Sequence, residues 1–346
     1  MFRPFRTVLI SGGTGSLGHA LTRLLLDTTN VTIRILSRGE HRQADMHAFF
    51  QNDRIRYLIG DVRDYQRVLL ACHAVDLVIH AAALKRQPTL EYNVYEGVQT
   101  NVIGTHNVLM ACAAAGVERC ITVSSDKACL PVTLYGQTKA VAEALTIQAN
   151  AYSPTGVRSC VVRWGNVAGS QGSVILIWRE ALRRGEKLGI TDAAATRFWV
   201  DMNEAVRLVW YVATAPTRGM IYVPHSPAFN VEDLALALVR QECGGGFYDF
   251  NTKNDLVSHV MAIPRRPAEK LHELLMTEEE QRRALWIDGM AQWRMIPSVA
   301  QTWATPAAAR EHVAPAFFEP LGTAYASDVW SYRLGVEELR ERLETL

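Results

Sequence analysis

Charge of a single sign is what this sequence most conspicuously lacks. Lys and Arg number 36 against 35 Asp and Glu, a formal net charge of +1 over 346 residues. That balance excludes the broad basic field that holds nucleic acid or an anionic membrane surface, so neither partner is expected. Cysteine is sparse: Cys72, Cys112, Cys120, Cys129, Cys160 and Cys243 form no C-x-x-C, and several sit in apolar runs. They read as reduced, buried thiols rather than a disulfide framework. The ten histidines fall in no H-E-x-x-H or similar ligand spacing, so no catalytic metal is expected. No apolar run approaches the length of a membrane span. The apolar part of "MFRPFRTVLISGG" is too short for a secretory signal. A cytoplasmic location is expected. Internal repeats, low-complexity tracts and obvious flexible linkers are also absent.

What is present is an ordinary globular composition, 49% hydrophobic and 21% charged. The length suits one large domain or two intimate ones. The apolar runs "TVLIS", "VTIRIL", "IRYLIG", "DLVIHAA", "RCITVSS" and "RSCVVRW" read as buried parallel strands. Amphipathic segments at 17–26, 66–72, 98–115 and 136–151 separate them. This alternation predicts an α/β fold, a doubly wound parallel Rossmann sheet. After Trp164 the alternation weakens, although "FWVDMNEAVRLVWYVATA" reads as one more helix. A short glycine-rich stretch begins at Gly244, followed by the charged "RRPAEKLHELLMTEEEQRR". The expected division is a nucleotide-binding Rossmann domain over 1–165, with a return at about 196–224. A smaller, discontinuous substrate-binding domain is expected from 166–195 and 225–346.

"VLISGGTGSLGHALTRLLL" places Gly12, Gly15 and Gly18 in a G-x-x-G-x-x-G spacing between a strand and a helix. Glycine permits the tight turn and close backbone approach, and the helix N-terminus favours a pyrophosphate. Gly13, Thr14 and Ser16 complete the expected cradle. The second strand runs into Ser37, Arg38 and Gly39, with Arg42 one turn later. An NAD site usually has a carboxylate here; a hydroxyl and guanidinium suit a 2′-phosphate, so NADP is favoured over NAD. Asp61, with Val62 beside it, is placed to accept from the adenine amino group. Small Ala81 and Ala82 would let the backbone lie close to the cofactor, and Lys85 would point into the cleft beside the nicotinamide ribose or the substrate phosphates. Ser124 and Val167 complete the expected cofactor contacts.

The densest chemistry lies in "VSSDKACLPVTLYGQTK". Tyr135 and Lys139 stand at i and i+4 and share one face at a helix start. A neutral tyrosine is a poor base, but a nearby ammonium and an oxidised nicotinamide favour its phenolate. Tyr135 could then take a hydroxyl proton during oxidation of an alcohol, with Ser125 hydrogen-bonded to the same oxygen. A simple dehydrogenase leaves Asp126 and Lys127 without a use.

With these residues in view, the sequence resembles the extended short-chain dehydrogenase/reductases, and within them the inverting UDP-N-acetylglucosamine 4,6-dehydratases of bacterial sugar pathways. The resemblance is carried by "SGGTGSLG", "LSRGE", "GDVRD", "HAAALK", "SSDKA…P…LYGQTK", "RWGNV", "GSVI", "ITD…TRFWV" and "RPAEKLHE". The tail "SDVWSYRLGVEELRERL" is similar as well. Membrane-bound relatives carry extra N-terminal spans; this chain resembles the short soluble forms. The resemblance implies oxidation at C4 of a UDP-sugar, removal of the C5 proton, loss of the C6 hydroxyl as water and return of hydride to C6. It makes Lys127 the C5 base and Asp126 the acid for the leaving oxygen. Burial, Lys139 and the oxidised cofactor are expected to lower the Lys127 pKa and make it a base. It further implies substrate contacts from Asn166, Gly172, Ser173, Val174 and Lys85. Arg197 lies near the cleft, Arg266 meets the diphosphate and Glu269 the uridine ribose. A homo-oligomer, a hexamer by analogy, is implied too.

The chain departs from the family pattern at Ala268, where R-P-G-E-K is usual. It also departs at Leu176 (usually proline), Ala195 (usually methionine) and, mildly, Ser125 (often threonine). Three of these changes border the substrate pocket. A UDP-hexosamine 4-epimerase and a C5-retaining dehydratase would share Tyr135 and Lys139; an NADP-sensing protein that has lost catalysis would not keep both.

Overall fold

The computed structural model describes residues 5–152, 156–243, 258–287, 294–297, 316–317 and 324–346. The glycine-rich stretch at 244–246 lies outside them. The six apolar runs form β1 (Thr7–Ser11), β2 (Thr32–Ser37), β3 (Ile55–Ile59), β4 (Leu77–His80), β5 (Arg119–Val123) and β6 (Arg158–Val162). Between them run α1 (Ser16–Thr28), α2 (Glu40–Phe50), α3 (Tyr65–Cys72), α4 (Gln87–Tyr92), α5 (Val94–Val98), α6 (Gly104–Ala115) and α7 (Leu134–Tyr152). A π-helical turn, Gln99–Ile103, joins α5 to α6. Helix α2 escaped the pattern reading because it buries only Gln43 and Met46 and shows no continuous apolar face.

The second half supplies β7 (Asn166–Val167), α8 (Val174–Arg183), β8 (Leu188–Ile190), β9 (Thr196–Val200), α9 (Met202–Thr214), β10 (Met220–Val223) and β11 (Ala228–Asn230). Then come α10 (Val231–Cys243), β12 (Val260–Ala262), β13 (Leu274–Met276), α11 (Glu278–Arg283) and β14 (Leu285–Ile287). The chain ends with β15 (Arg294–Pro297), β16 (Ala316–Phe317), β17 (Tyr325–Ala326) and α12 (Val336–Glu344). The run expected as a single helix at 198–215 is split. "TRFWV" is strand β9, as suits an aromatic and β-branched run. The helix starts only after Asp201, whose backbone N–H donates to Glu204 Oε2 at 2.9 Å.

The central sheet has the order β3-β2-β1-β4-β5-β6-β10, all parallel. It is a doubly wound Rossmann sheet. Leu21 and Leu25 of α1 pack on one face together with Val206, Val209 and Val212 of α9. Val68 of α3 and Val108 and Cys112 of α6 pack on the other. Beyond β10 the sheet continues antiparallel through β15, β14 and β16, so part of the C-terminal third returns to its edge. A separate core around Trp178, Leu188, Trp199, Phe229, Leu234 and Leu339 joins α8, α10 and α12. The six cysteines are free, and all but Cys243 are buried.

His80 closes β4 inside the sheet, its Nδ1 2.7 Å from Ser11 Oγ and its Nε2 3.0 Å from Thr105 Oγ1. Burial, aided by the Lys139 charge, pushes its pKa down to about 3. The unfolded chain therefore takes up this proton first as pH falls, and the stability due to neutral His80 is lost below about pH 6.5. Urea denaturation between neutral pH and about pH 4 should show this loss at roughly 1.4 kcal/mol per pH unit. A His80→Gln variant should show a shallower acid slope whatever its stability at neutral pH.

Candidate active site

The turn between β1 and α1 brings the glycine loop onto the end of β4. Gly12 sits at φ +70, and a Cβ there would lie 2.8 Å from the Ala82 backbone. Ala81 N–H donates to Ser11 O at 3.1 Å, so the two expected small residues do line the loop. Gly15 precedes α1 in an extended conformation with no side-chain cap. The first N–H groups of α1 are thus left for an anion. Ser16 Oγ accepts from Gln171 N–H at 3.0 Å, which ties this loop to the loop before α8. A dinucleotide's pyrophosphate fits this cradle: the backbone is close, uncapped and free of side-chain bulk.

At the end of β2, Ser37 Oγ accepts from Gln43 Nε2 at 2.9 Å. Arg38, Gly39 and Arg42 are exposed at the same corner. Arg38 Nη1 stands 3.7 Å from Asp61 Oδ2. Asp61, expected on the adenine, is engaged by Arg63 at 2.7 Å. Burial works against its charge, but the Arg63 contacts outweigh it and hold the carboxyl below its usual value. Val62 beside it is buried. Lys85 is exposed in the loop after β4.

β5 runs on past Val123 in step with β6, Ser124 N–H donating to Val162 O at 2.7 Å and Asp126 N–H to Trp164 O at 2.8 Å. A 3₁₀ turn, Asp126–Ala128, then reverses the chain. Gly136 allows the first turn of α7 to lie against it, since a Cβ there would come within 2.2 Å of Lys127 O. Ser125 Oγ donates to Asp126 Oδ1 at 2.7 Å, and Lys127 Nζ donates to the same oxygen at 3.1 Å. Ser124 Oγ donates to Glu143 Oε1 at 2.6 Å.

Tyr135 is surrounded by this loop. Burial pushes its phenol up to about 12, against the Lys127 charge and a hydrogen bond with Ser125. Lys139 donates to Val123 O at 2.5 Å, and burial lowers it to about 8 despite Glu143. Of the two lysines, the Lys127 charge is the one that pulls the Tyr135 phenol downward, against its burial. The expectation of a lowered Lys127 is overturned. Burial does act downward, but the charges of Asp126 and of Glu273, whose Oε1 lies 3.3 Å from Nζ, outweigh it and raise the pKa above the usual lysine value.

The second lobe brings the expected substrate residues around the same end of the sheet. Asn166 is exposed and Val167 half-buried on β7. Gly172 is exposed; Ser173 caps α8 with its Oγ buried and unpartnered, and Val174 starts the helix. Arg197 on β9 donates to Leu271 O at 2.9 Å and lies 3.5 Å from Glu269 Oε1. Glu269 Oε2 accepts from the Arg266 N–H at 3.2 Å. Arg197, Arg266 and Glu269 thus form one cluster.

Two groups of residues went unassigned in the sequence. Glu273 ends the quoted "RPAEKLHE" but had no role there. Arg163 directly follows β6 and is buried, bonded to Glu143 and Glu280. Neither has a signal in spacing, because their partners are distant in the chain.

The polysaccharide biosynthesis protein family model matches residues 8–293. The chain belongs to this family. An inverting UDP-N-acetylglucosamine 4,6-dehydratase from Campylobacter jejuni is 39% identical to this family member over 278 residues, 80% of this chain and 78% of the relative. A UDP-glucose 4-epimerase from Rickettsia massiliae is 39% identical over 297 residues, 84% of this chain and 83% of the relative. Among solved structures, Pen from Bacillus thuringiensis superposes with a TM-score of 0.85 at 31% identity, covering 100% of this chain and 99% of its own. The dTDP-glucose 4,6-dehydratase DesIV from Streptomyces venezuelae shares the fold, with a TM-score of 0.68 at 22% identity over 77% of this chain and 86% of its own.

The departure of this family member at Ala268 has a visible cost. Ala268 sits at φ +60, in the left-handed region that suits glycine. Leu176 is 40% exposed on α8, and Ala195 is buried; nothing in the structure explains these two departures. Ala268→Gly should raise stability by roughly 0.5–1 kcal/mol, the relieved backbone strain being partly offset by a freer unfolded chain. Urea denaturation of the two proteins checks this.

Proposed function

We propose that the chain is an NADP-dependent UDP-N-acetylglucosamine 4,6-dehydratase that inverts C5. It is an enzyme of the short-chain dehydrogenase/reductase superfamily, a sugar-nucleotide hydro-lyase. The single observation that carries dehydration is the Asp126–Lys127 pair beside Tyr135; inversion at C5 rests on the similarity to the inverting Campylobacter jejuni dehydratase. An oxidation alone has no use for a second acid and base at that position.

When bound, the dinucleotide would accept a hydride from C4 and give it back at C6. The Gly12–Ser16 loop and the start of α1 would hold its pyrophosphate, with Arg38 and Arg42 on a 2′-phosphate. Tyr135 takes the C4 hydroxyl proton, with Ser125 on the same oxygen. Lys127 removes the C5 proton, which the C4 ketone has made acidic. Asp126 delivers a proton to the departing C6 oxygen. Residues 166–195 and 225–346 would supply the sugar-nucleotide side, Arg197 and Arg266 meeting phosphate and Glu269 a ribose diol. A second reading, 4-epimerisation, is favoured by the similarity to the Rickettsia epimerases.

Incubation of the protein with UDP-N-acetylglucosamine in deuterium oxide, followed by NMR, separates these readings. The expected product is a 4-keto-6-deoxy sugar of L-arabino configuration carrying deuterium at C5. Only UDP-N-acetylgalactosamine would defeat the proposal. Lys127→Ala should abolish elimination and leave NADP binding intact. For the cofactor, Arg38→Ala should weaken NADP binding about tenfold or more while leaving NAD nearly unchanged. Equal losses for both would remove the basis for NADP.

A further inference from the structure

Lys127 meets a second carboxylate that the proposed mechanism leaves without a part. Glu273 is 4% exposed and arrives from the far lobe, just ahead of β13. Its Oε1 lies 3.3 Å from Lys127 Nζ. Its Oε2 is buried with no hydrogen-bond partner. The backbone around it is held firmly. Glu273 N–H donates to Ser327 Oγ at 3.0 Å, and Ser327 N–H donates back to Glu273 O at 2.9 Å. Ser327 Oγ is in turn 2.7 Å from Thr196 Oγ1.

This arrangement differs from the two carboxylates around Arg163. Glu143 and Glu280 each receive two hydrogen bonds from Arg163, which suits permanent charge. Glu273 meets only Lys127, on Oε1, and its buried Oε2 has no hydrogen-bond partner, so one oxygen is left open. Asp126 Oδ1, by contrast, accepts from both Ser125 and Lys127. The charged groups facing Lys127 are Asp126, Glu273 and Arg197, with the Tyr135 phenol beside them.

We propose that Glu273 is a positioning residue that takes the ammonium proton from Lys127 and so frees the amine to act as the C5 base. The inference rests on the dehydratase reading above. In the step, a Lys127 N–H bond breaks and an O–H bond forms on Glu273. An ion pair becomes a neutral pair, and no co-reactant is needed. The transfer runs directly between two side chains in contact, so the site need not wait for solvent to deprotonate a lysine held charged by its neighbours.

The test uses the holoenzyme with UDP-N-acetylglucosamine in deuterium oxide, comparing the parent with Glu273→Gln and Glu273→Asp. Three readouts are taken: absorbance of reduced cofactor in a single turnover, deuterium at C5, and elimination rate against pH. Glu273→Gln should still form reduced cofactor at the parent rate. It should lose elimination and C5 deuterium about a hundredfold at neutral pH. Its residual elimination should climb about tenfold per pH unit, because Lys127 must now lose its proton to solvent. Glu273→Asp should recover part of the rate and flatten that slope. Elimination by Glu273→Gln at the parent rate, or an equal loss of cofactor reduction, overturns the proposal in favour of a structural role. A loss with no new pH slope overturns it as well. A parent enzyme that yields only the C4 epimer, with no C5 deuterium, defeats the dehydratase reading itself and is told apart by needing no variant.

Discussion

Arg163 is the constraint that ties the parallel sheet to the C-terminal segments packed beside it. A guanidinium cannot shed its charge, so a buried one must find acceptors for five N–H donors. All five are met. Nε and Nη2 bond Glu143 at 2.9 and 2.6 Å. Nη1 and Nη2 bond Glu280 at 3.0 and 2.9 Å, and Nη1 also bonds Leu275 O at 3.0 Å. Burial opposes the charge, but the two carboxylates outweigh it and raise the arginine's pKa further. Stripping water from three charges costs several kcal/mol for each ion, so the network persists only because it is complete.

That completeness has positional consequences. Glu143 lies on α7 one turn after Lys139, so the arginine fixes the helix that carries the tyrosine and lysine. Glu143 also receives Ser124, which anchors the entry to the Asp126 turn. Glu280 is locked by its own cap, with Thr277 N–H on Oε2 at 2.9 Å and Glu280 N–H on Thr277 Oγ1 at 3.1 Å. Holding α11 against β6 holds β13 next to the 3₁₀ turn. Glu273 then reaches Lys127 from across the cleft. One buried cation therefore sets the distance between a second cation and its carboxylates.

The two cations are treated differently. Arg163 has symmetric, bidentate partners and no empty lone pairs facing it. Lys127 has two single contacts, and each carboxylate keeps one buried oxygen without a partner, Asp126 Oδ2 and Glu273 Oε2. Incomplete pairing in a dry site is costly, and such sites are where function accounts for the cost. The same contrast runs through the nucleotide end, where the uncapped start of α1 leaves N–H groups for an anion.

Local pattern carried much of this protein. The six parallel strands, the glycine turn and the Tyr135–Lys139 face follow from short-range rules: apolar runs, backbone freedom and a helical repeat. So did the Asp126–Lys127 pair, because neighbours in sequence are visible as neighbours. The strand "TRFWV" was hidden inside a run that also fits a helix, and only pairing with β7 and β11 decides it. Helix α2 was hidden because only two of its residues are buried. Glu273 and Arg163 were out of reach for another reason. Each draws its meaning from a partner that packing brings from far along the chain; for Lys127, Glu273 adds to the upward pull of Asp126. Sequence determined which groups could do acid–base chemistry at this cleft. Tertiary structure decided which of them are charged, since a pKa depends on burial and on neighbours that no spacing reveals.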